Sequence, residues 1–313
     1  MNKNILIAGG TGMIGSACLR LFSKSDDHHI FAPPRSELDV TDRQRLLSYL
    51  MDYRINHVIY AVGMVGGIIE NRDNPAGLID ANALMGLNGI WAAQQAGVEK
   101  MILFGSSCMF PVNASQPFDE TSILTGPIEQ TSIAYATAKI LMMQAASANN
   151  RQFPQGTKFI SVIPNSTFGP NDDFDPMKSH VMAALIGKIH YAKIERKPSL
   201  ELWGSGEPLR EFIFADDVAK VVQFLLTAEI PEAMDTINIS SGTEISIRDL
   251  ANVIAGVIGY EGKITFDACK PDGVMRKALS NKRLSSLGWS EFTDLKVGII
   301  QTYNWYKDEK MKN

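Results

Sequence analysis

A chain of 313 residues, 45% hydrophobic and 20% charged, has enough apolar mass for one large α/β domain or two unequal ones. Its formal charge of −4 argues against a general nucleic-acid binder, and its longest apolar run, 58–69, is too short to span a bilayer. Its three cysteines, Cys18, Cys108 and Cys269, show no CxxC or Cys/His spacing, so no metal site is expected and a reducing, cytoplasmic setting is.

The N-terminus passes straight into a strand-like run and reads as no signal peptide. Residues 4–8 form that strand, and Gly9-Gly10-Thr11-Gly12-Met13-Ile14-Gly15 turns it into a helix reaching about Phe22. Glycines so placed allow a tight turn and close backbone approach, and the helix N-terminus behind them suits a pyrophosphate. Gly9, Gly12, Met13, Ile14 and Gly15 are therefore cofactor-binding candidates. The next strand, near 30–32, ends in Pro33-Pro34-Arg35. No carboxylate stands there for the ribose hydroxyls of NAD, whereas Arg35 suits a 2′-phosphate, which favours NADP. Asp39 is positioned to meet the adenine.

A helix at about 43–53, a strand at 57–60 and a longer helix at about 75–95 keep the rhythm of a parallel sheet. Ala61, Val62 and Gly63 bring backbone close to the cofactor, and Val65-Gly66-Gly67-Ile68 reads as a flexible turn on the substrate side. Residues 101–104 form a buried strand that delivers Ser106, Ser107 and Cys108 to its carboxyl end, where open α/β sheets bind their ligands. Tyr135 and Lys139, four apart in an Ala-rich helical stretch, share one face. A lysine cation beside the phenol lowers its pKa and fits it for proton transfer. With a serine to hold the substrate oxygen, this is a carbonyl-reducing site in outline.

The strand at 158–163 runs into a turn-rich segment to Pro170, where Pro164 and Ser166 are further cofactor candidates. Beyond it come a helix at 179–192, a short strand leading to Trp203, an extended 210–214 before another helix, a strand at 237–239, a helix at 247–259 and a strand at 264–266. The expected fold is α/β, a Rossmann-type doubly wound parallel sheet with a smaller C-terminal α/β substrate lobe. Residues 1–170 would bind the cofactor and 171–313 the substrate, with part of the chain crossing back.

The GxxGxxG turn, the strand-end serine and YxxxK together are similar to the extended short-chain dehydrogenase/reductases. Val65-Gly66-Gly67-Ile68, Gly105-Ser106-Ser107-Cys108, Ser179-His180-Val181, Trp203-Gly204-Ser205-Gly206, Arg210-Glu211-Phe212 and Lys270-Pro271-Asp272-Gly273 narrow this, and the chain resembles the GDP-L-fucose synthase family. The resemblance implies NADPH as cofactor, a GDP-4-keto-6-deoxy sugar as substrate, and a homodimer packed through the helices at about 75–95 and 135–148. By it, Ser106, Tyr135 and Lys139 are the reducing triad and Cys108 and His180 the epimerising pair, with Lys139 and His180 also against the cofactor. Lys188, Trp203, Arg210, Asp272 and Lys277 fall where the family holds its GDP-sugar.

The implied chemistry is coherent. Protons at C3 and C5 lie α to the C4 carbonyl, so a Cys108 thiolate can remove one while Tyr135 and Ser106 hold the enolate oxygen and His180 returns a proton to the opposite face. Thr11 stands where the family has arginine. Met109-Phe110, Phe168 and Phe214 replace more polar residues and predict a less polar or differently shaped sugar side. The alternatives are a reductase without epimerisation, acting on a heptose- or dideoxy-type GDP-4-keto sugar, and a non-catalytic NADP-binding sensor.

Overall fold

Continuous burial rather than alternation marks the strands of the central sheet except the edge strand at 28–31, as expected where helices cover both faces. The computed structural model describes residues 2–24, 27–66, 68–175 and 179–312, so Gly67 of the turn at 65–68 lies outside the described residues. Five strands come in succession: β1 (Lys3–Ala8), β2 (His28–Phe31), β3 (His57–Tyr60), β4 (Lys100–Phe104) and β5 (Lys158–Pro164). Four short ones follow, β6 (Ser166–Phe168), β7 (Ser199–Trp203), β8 (Leu209–Arg210) and β9 (Phe212–Phe214), before β10 (Thr236–Ile239) returns to the sheet. The sheet has six strands in the order β10-β5-β4-β3-β1-β2, every neighbouring pair parallel. The chain winds from β1 toward one edge and from β3 toward the other, so the crevice at their carboxyl ends is the switch point where such sheets bind ligands.

Helices α1 (Met13–Phe22), α2 (Arg43–Asp52), α3 (Ile68–Asp73), α4 (Pro75–Ala96), α5 (Ile133–Gln152), α6 (Val181–Ile194) and α7 (Ala215–Thr227) alternate with these strands. On one face, Cys18 and Phe22 of α1 and Val218 and Val222 of α7 pack on Ile5 and Ile7. On the other, Leu46, Leu50, Ile90 and Met142 from α2, α4 and α5 close over Leu6 and Leu103. Each such side chain contributes about 1.5–3 kcal/mol when fully buried.

The smaller lobe adds β11 (Ile245–Ser246), β12 (Lys263–Asp267) and β13 (Arg276–Lys277), with α8 (Ile247–Ile258) and α10 (Leu295–Lys312), while α9 (Lys282–Ser286) packs Leu284 into the core of the large sheet. Its core joins Ile186 and Ile189 to Leu250, Ile254, Ile299 and Tyr306. Among the described residues no helix is long and apolar enough to cross a membrane.

Three elements differ from the sequence reading. The segment at 237–239, read as part of the smaller lobe, is the sixth strand of the large sheet; every residue of β10 is buried, which an edge of a small half-exposed sheet would not require. The supposed flexible turn at 65–68 leads directly into α3. The C-terminal α10 was not anticipated, although Ile299, Tyr303 and Tyr306 repeat at helical spacing and are its buried contacts.

The lobes meet around the buried carboxylate of Glu211, which is 1% exposed. It accepts from Asn165 Nδ2 and Ser240 Oγ, both at 2.7 Å, and from Gly242 N at 3.0 Å. Truncation removes the acceptor these buried donors share and leaves Asn165 Nδ2 with only its bond to the Lys277 carbonyl and Ser240 Oγ donating only to the Leu279 carbonyl. Glu211→Ala is expected to cost about 3 kcal/mol, a fall in Tm of roughly 5–10 °C by calorimetry, with Glu211→Gln markedly milder. Equal stability of the alanine variant would contradict this account.

Candidate active site

The cleft opens at the switch point, with a volume of about 630 Å³, between the turns after β1, β3 and β4. Gly9 adopts φ +83°, and a side chain there would run into the Ala61 carbonyl. A Cβ on Gly15 would collide with the Gly9 carbonyl, so the spacing of these glycines is a packing requirement. Gly12 is the N-cap of α1 and offers no side-chain cap, which leaves the first N–H groups of the helix for a ligand. Met13, Ile14, Ala61, Val62 and Gly63 line the same cleft. This combination of bare helix N-terminus and side-chain-free backbone fits a dinucleotide diphosphate.

Asn82 was not identified from sequence. Buried on α4, it accepts from Met64 N at 3.0 Å and donates to Met64 O at 2.9 Å, fixing the loop that forms one wall. A polar residue inside an apolar helical run was its signal. Glu70, Asp172 and Asp173, also unanticipated, line the cleft as well.

Strand β4 delivers Ser106, which caps the short helical turn at Ser107–Met109 by accepting from Cys108 N at 3.3 Å. Its hydroxyl also acts on Tyr135, favouring the charged form of the phenol, so Ser106 and not Ser107 neighbours the tyrosine. One turn along α5, Lys139 is buried and donates to the Phe104 carbonyl at 3.0 Å. The expected lowering of Tyr135 by the lysine is not found. Burial first, and then the nearby charge of Cys108, push the Tyr135 phenol up. Burial also brings Lys139 down to about 8. The ammonium sits 5.7 Å from the centre of the tyrosine ring and is engaged by a main-chain oxygen, while desolvation acts on both groups directly.

Cys108 lies two residues beyond Ser106, and Lys277 Nζ from β13 donates to its sulfur at 3.7 Å. His180, at the N-cap of α6, lines the cleft. Burial holds its imidazole below the usual value, with Asp173 pulling it up and Lys277 pushing it down. Burial raises the Asp172 carboxyl to about 7.

Other sequence candidates lie apart. Arg35 and Asp39 form an ion pair at 3.3 Å beyond the end of β2, outside the cleft lining. Pro164 is buried at the end of β5, and Ser166 begins β6. Lys188 lines a second cavity with Phe174, Gly187 and Leu200. Its ammonium stands 5.8 Å from the centre of the exposed Trp203 ring, and that of Lys270 stands 5.7 Å away. Asp272 accepts from Ser205 N at 2.9 Å and Ser205 Oγ at 2.7 Å, pinning the turn after Trp203. Arg210 feels the charges of Glu129 and Asp272, and burial lowers its guanidinium.

The expectation of a less polar sugar side is corrected. Met109, Phe110, Phe168 and Phe214 are all less than 5% exposed and belong to the hydrophobic cores, where Phe168 meets Phe212 edge-to-face and Phe214 at a tilt. Their apolar character answers to packing, not to a ligand.

Residues 5–240 match the NAD dependent epimerase/dehydratase family. A GDP-L-fucose synthase from Sinorhizobium fredii is 42% identical over 301 residues, covering 96% of this chain and 94% of that protein. The structure of a GDP-L-fucose synthetase from Naegleria fowleri bound to NADP superposes with a TM-score of 0.90 at 25% identity, covering 99% of this chain and 96% of that one. A GDP-6-OMe-4-keto-L-xylo-heptose reductase from C. jejuni superposes at 0.89 with 27% identity, covering 98% of each chain.

Asp172 makes stability depend on pH with a definite sign. Its folded value, about 7, lies above its ordinary value of 3.8, so the native state keeps a proton that the unfolded chain has lost. Raising pH through that window erodes stability. Asp172→Asn, which mimics the protonated acid, should leave Tm nearly unchanged near pH 4 and raise it progressively to a plateau above about pH 7. Scanning calorimetry across that range checks this; a difference that does not vary with pH would contradict it.

Proposed function

The chain belongs to the NAD dependent epimerase/dehydratase family, and on that basis we propose that it epimerises a GDP-4-keto-6-deoxy sugar at C3 and C5 and reduces its C4 keto group with NADPH, as in GDP-L-fucose synthesis. The observation that carries this reading is one cleft lined by Tyr135, Lys139 and His180, with Ser106 beside the tyrosine and Cys108 two residues further along the same turn. One hydroxyl pair thus serves two steps: it holds the enolate oxygen during epimerisation and Tyr135 protonates that oxygen during reduction.

Bound NADPH supplies the hydride for C4. Gly9, Gly12, Met13, Ile14 and Gly15 suit its diphosphate, Arg35 its 2′-phosphate, Asp39 its adenine, and Ala61–Gly63, Lys139, Pro164, Ser166 and His180 its nicotinamide half. Residues 1–170 form the cofactor half and 171–313 the sugar half, with α7 and β10 crossing back. Lys188, Trp203, Arg210 and Asp272 form the GDP side. The burial of Phe168 and Phe214 removes the sequence argument for a different sugar.

A homodimer through α4 and α5 fits Leu84, Leu87 and Leu141, which those helices leave exposed. Free Cys18, Cys108 and Cys269 fit a cytoplasmic setting.

The test is turnover of GDP-4-keto-6-deoxy-mannose with NADPH in deuterated water, followed by cofactor absorbance and proton NMR. NADPH oxidation with deuterium at C3 and C5 is expected. Oxidation without deuterium would leave only a reductase, and Tyr135→Phe should slow oxidation about 10²–10⁴-fold, which a sensor would not register.

Arg35 carries the cofactor preference. Its guanidinium is 82% exposed on the side chain and free to turn from Asp39 toward a phosphate. Arg35→Ala should weaken NADPH binding by roughly tenfold or more with little effect on NADH, measured by fluorescence titration. Equal loss for both cofactors would assign Arg35 no part in the choice.

A further inference from the structure

Resemblance groups Lys277 with the residues that hold the GDP-sugar, but its surroundings are different. Lys188 and Lys270 stand over the Trp203 ring, whereas Lys277 donates to Cys108 Sγ at 3.7 Å. The position is built from both sides. Lys277 pairs in register with Arg210 across β13 and β8, and its carbonyl accepts from Asn165 Nδ2 at 3.2 Å. That same amide donates to Glu211 at 2.7 Å, and the next residue, Ala278, donates its N–H to Gln116 Oε1 at 2.9 Å. The charge of Lys277 also reaches His180, where it opposes that of Asp173. One ammonium, fixed at its main chain, therefore faces both members of the proposed proton-transfer pair.

We propose that Lys277 is a positioning residue for epimerisation, its ammonium serving as the standing counter-charge of the Cys108 sulfur. The inference rests on the epimerase reading above and sharpens it. Cys108, as thiolate, takes the proton from the carbon beside the carbonyl and becomes the thiol. The electron pair of the broken C–H bond passes into the enolate, whose oxygen Tyr135 and Ser106 hold. Protonated His180 then gives its proton to the opposite face and becomes neutral, a form change that Asp173 and Lys277 bias in opposite directions. Lys277 exchanges no proton. Its charge stays fixed while that of the sulfur is consumed and, on the return, restored.

The thiolate is also the species that alkylates, so the pair can be read without any sugar. In the full-length chain, the rate of Cys108 carbamidomethylation by iodoacetamide at neutral pH is followed by peptide mass spectrometry, with exposed Cys269 as the internal reference. Lys277→Met is expected to slow Cys108 about tenfold relative to Cys269, and Lys277→Arg to restore most of the rate. Affinity for GDP, measured by calorimetry, should change less than about twofold. Unchanged alkylation in Lys277→Met would overturn the proposal, and accompanying loss of GDP affinity would make Lys277 a phosphate ligand. Loss of Cys108 reactivity that arginine fails to rescue, with buried Cys18 becoming reactive, would also overturn it by showing a merely structural role. A chain that alkylates as expected yet does not turn over the GDP-4-keto sugar would retire the epimerase reading and leave the ion pair standing.

Discussion

A buried carboxylate with no cation on it among the described residues organises the second half of this protein. Glu211 sits between β8 and β9 and is satisfied by neutral donors: the Asn165 amide at the end of β5, the Ser240 hydroxyl after β10, and the Gly242 main chain. A carboxylate held by several such bonds is firmly anchored, and the bonds come from two separate parts of the chain, the end of β5 and the loop after β10. Asn165 passes the constraint on, since its amide also binds the Lys277 carbonyl. The carboxyl end of the large sheet and the strand carrying Lys277 therefore cannot move independently. Catalytic geometry across two lobes depends on that shared acceptor.

Much of this was legible in the residues. Short apolar runs alternating with helical stretches predicted the parallel sheet, because burial on both faces leaves a distinctive continuous pattern, as in β3. The glycines at 9, 12 and 15 were legible because backbone contact at Gly9 and Gly15 admits no side chain. Tyr135 was singled out by its spacing from Lys139, whereas Ser106 was preferred to Ser107 only through the family resemblance, by its offset from Met109-Phe110. What escaped was set by tertiary contact. Nothing local distinguishes Ile237–Ile239 as the edge of a distant sheet, since a strand's partners are chosen by space and not by sequence neighbours. Phe168, Phe214 and Phe110 looked like changes to a ligand surface because motif positions carry no sign of which side faces the core. Lys139 was placed correctly on its helix, but its hydrogen bond to Phe104 O, which draws the ammonium to the main chain, depends on a strand 35 positions earlier.

Desolvation dominates the electrostatics of the cleft. It moves Lys139, His180, Asp172 and Tyr135 each toward its neutral form, in opposite pKa directions for bases and acids. Burial thus favours the neutral form of four groups at the centre of the site, while Glu70 and Asp173 also line it. Charge that develops on a substrate oxygen is then met by oriented hydroxyls rather than by a diffuse ionic field, which is the condition under which hydrogen bonds stabilise a developing oxyanion most.

The return of the chain to its first sheet has a consequence for modularity. Helix α7 covers β1 beside α1, and β10 closes the β5 edge, although both come after Pro170. A fragment ending there would expose a row of unpaired main-chain groups along β5 and an uncovered apolar face on α1. The nucleotide-binding half is therefore no free-standing cassette. Recombination or expression that divides the chain near Pro170 would cut through a single folding unit, and substrate range in such a chain must change by local substitution rather than by exchange of whole lobes.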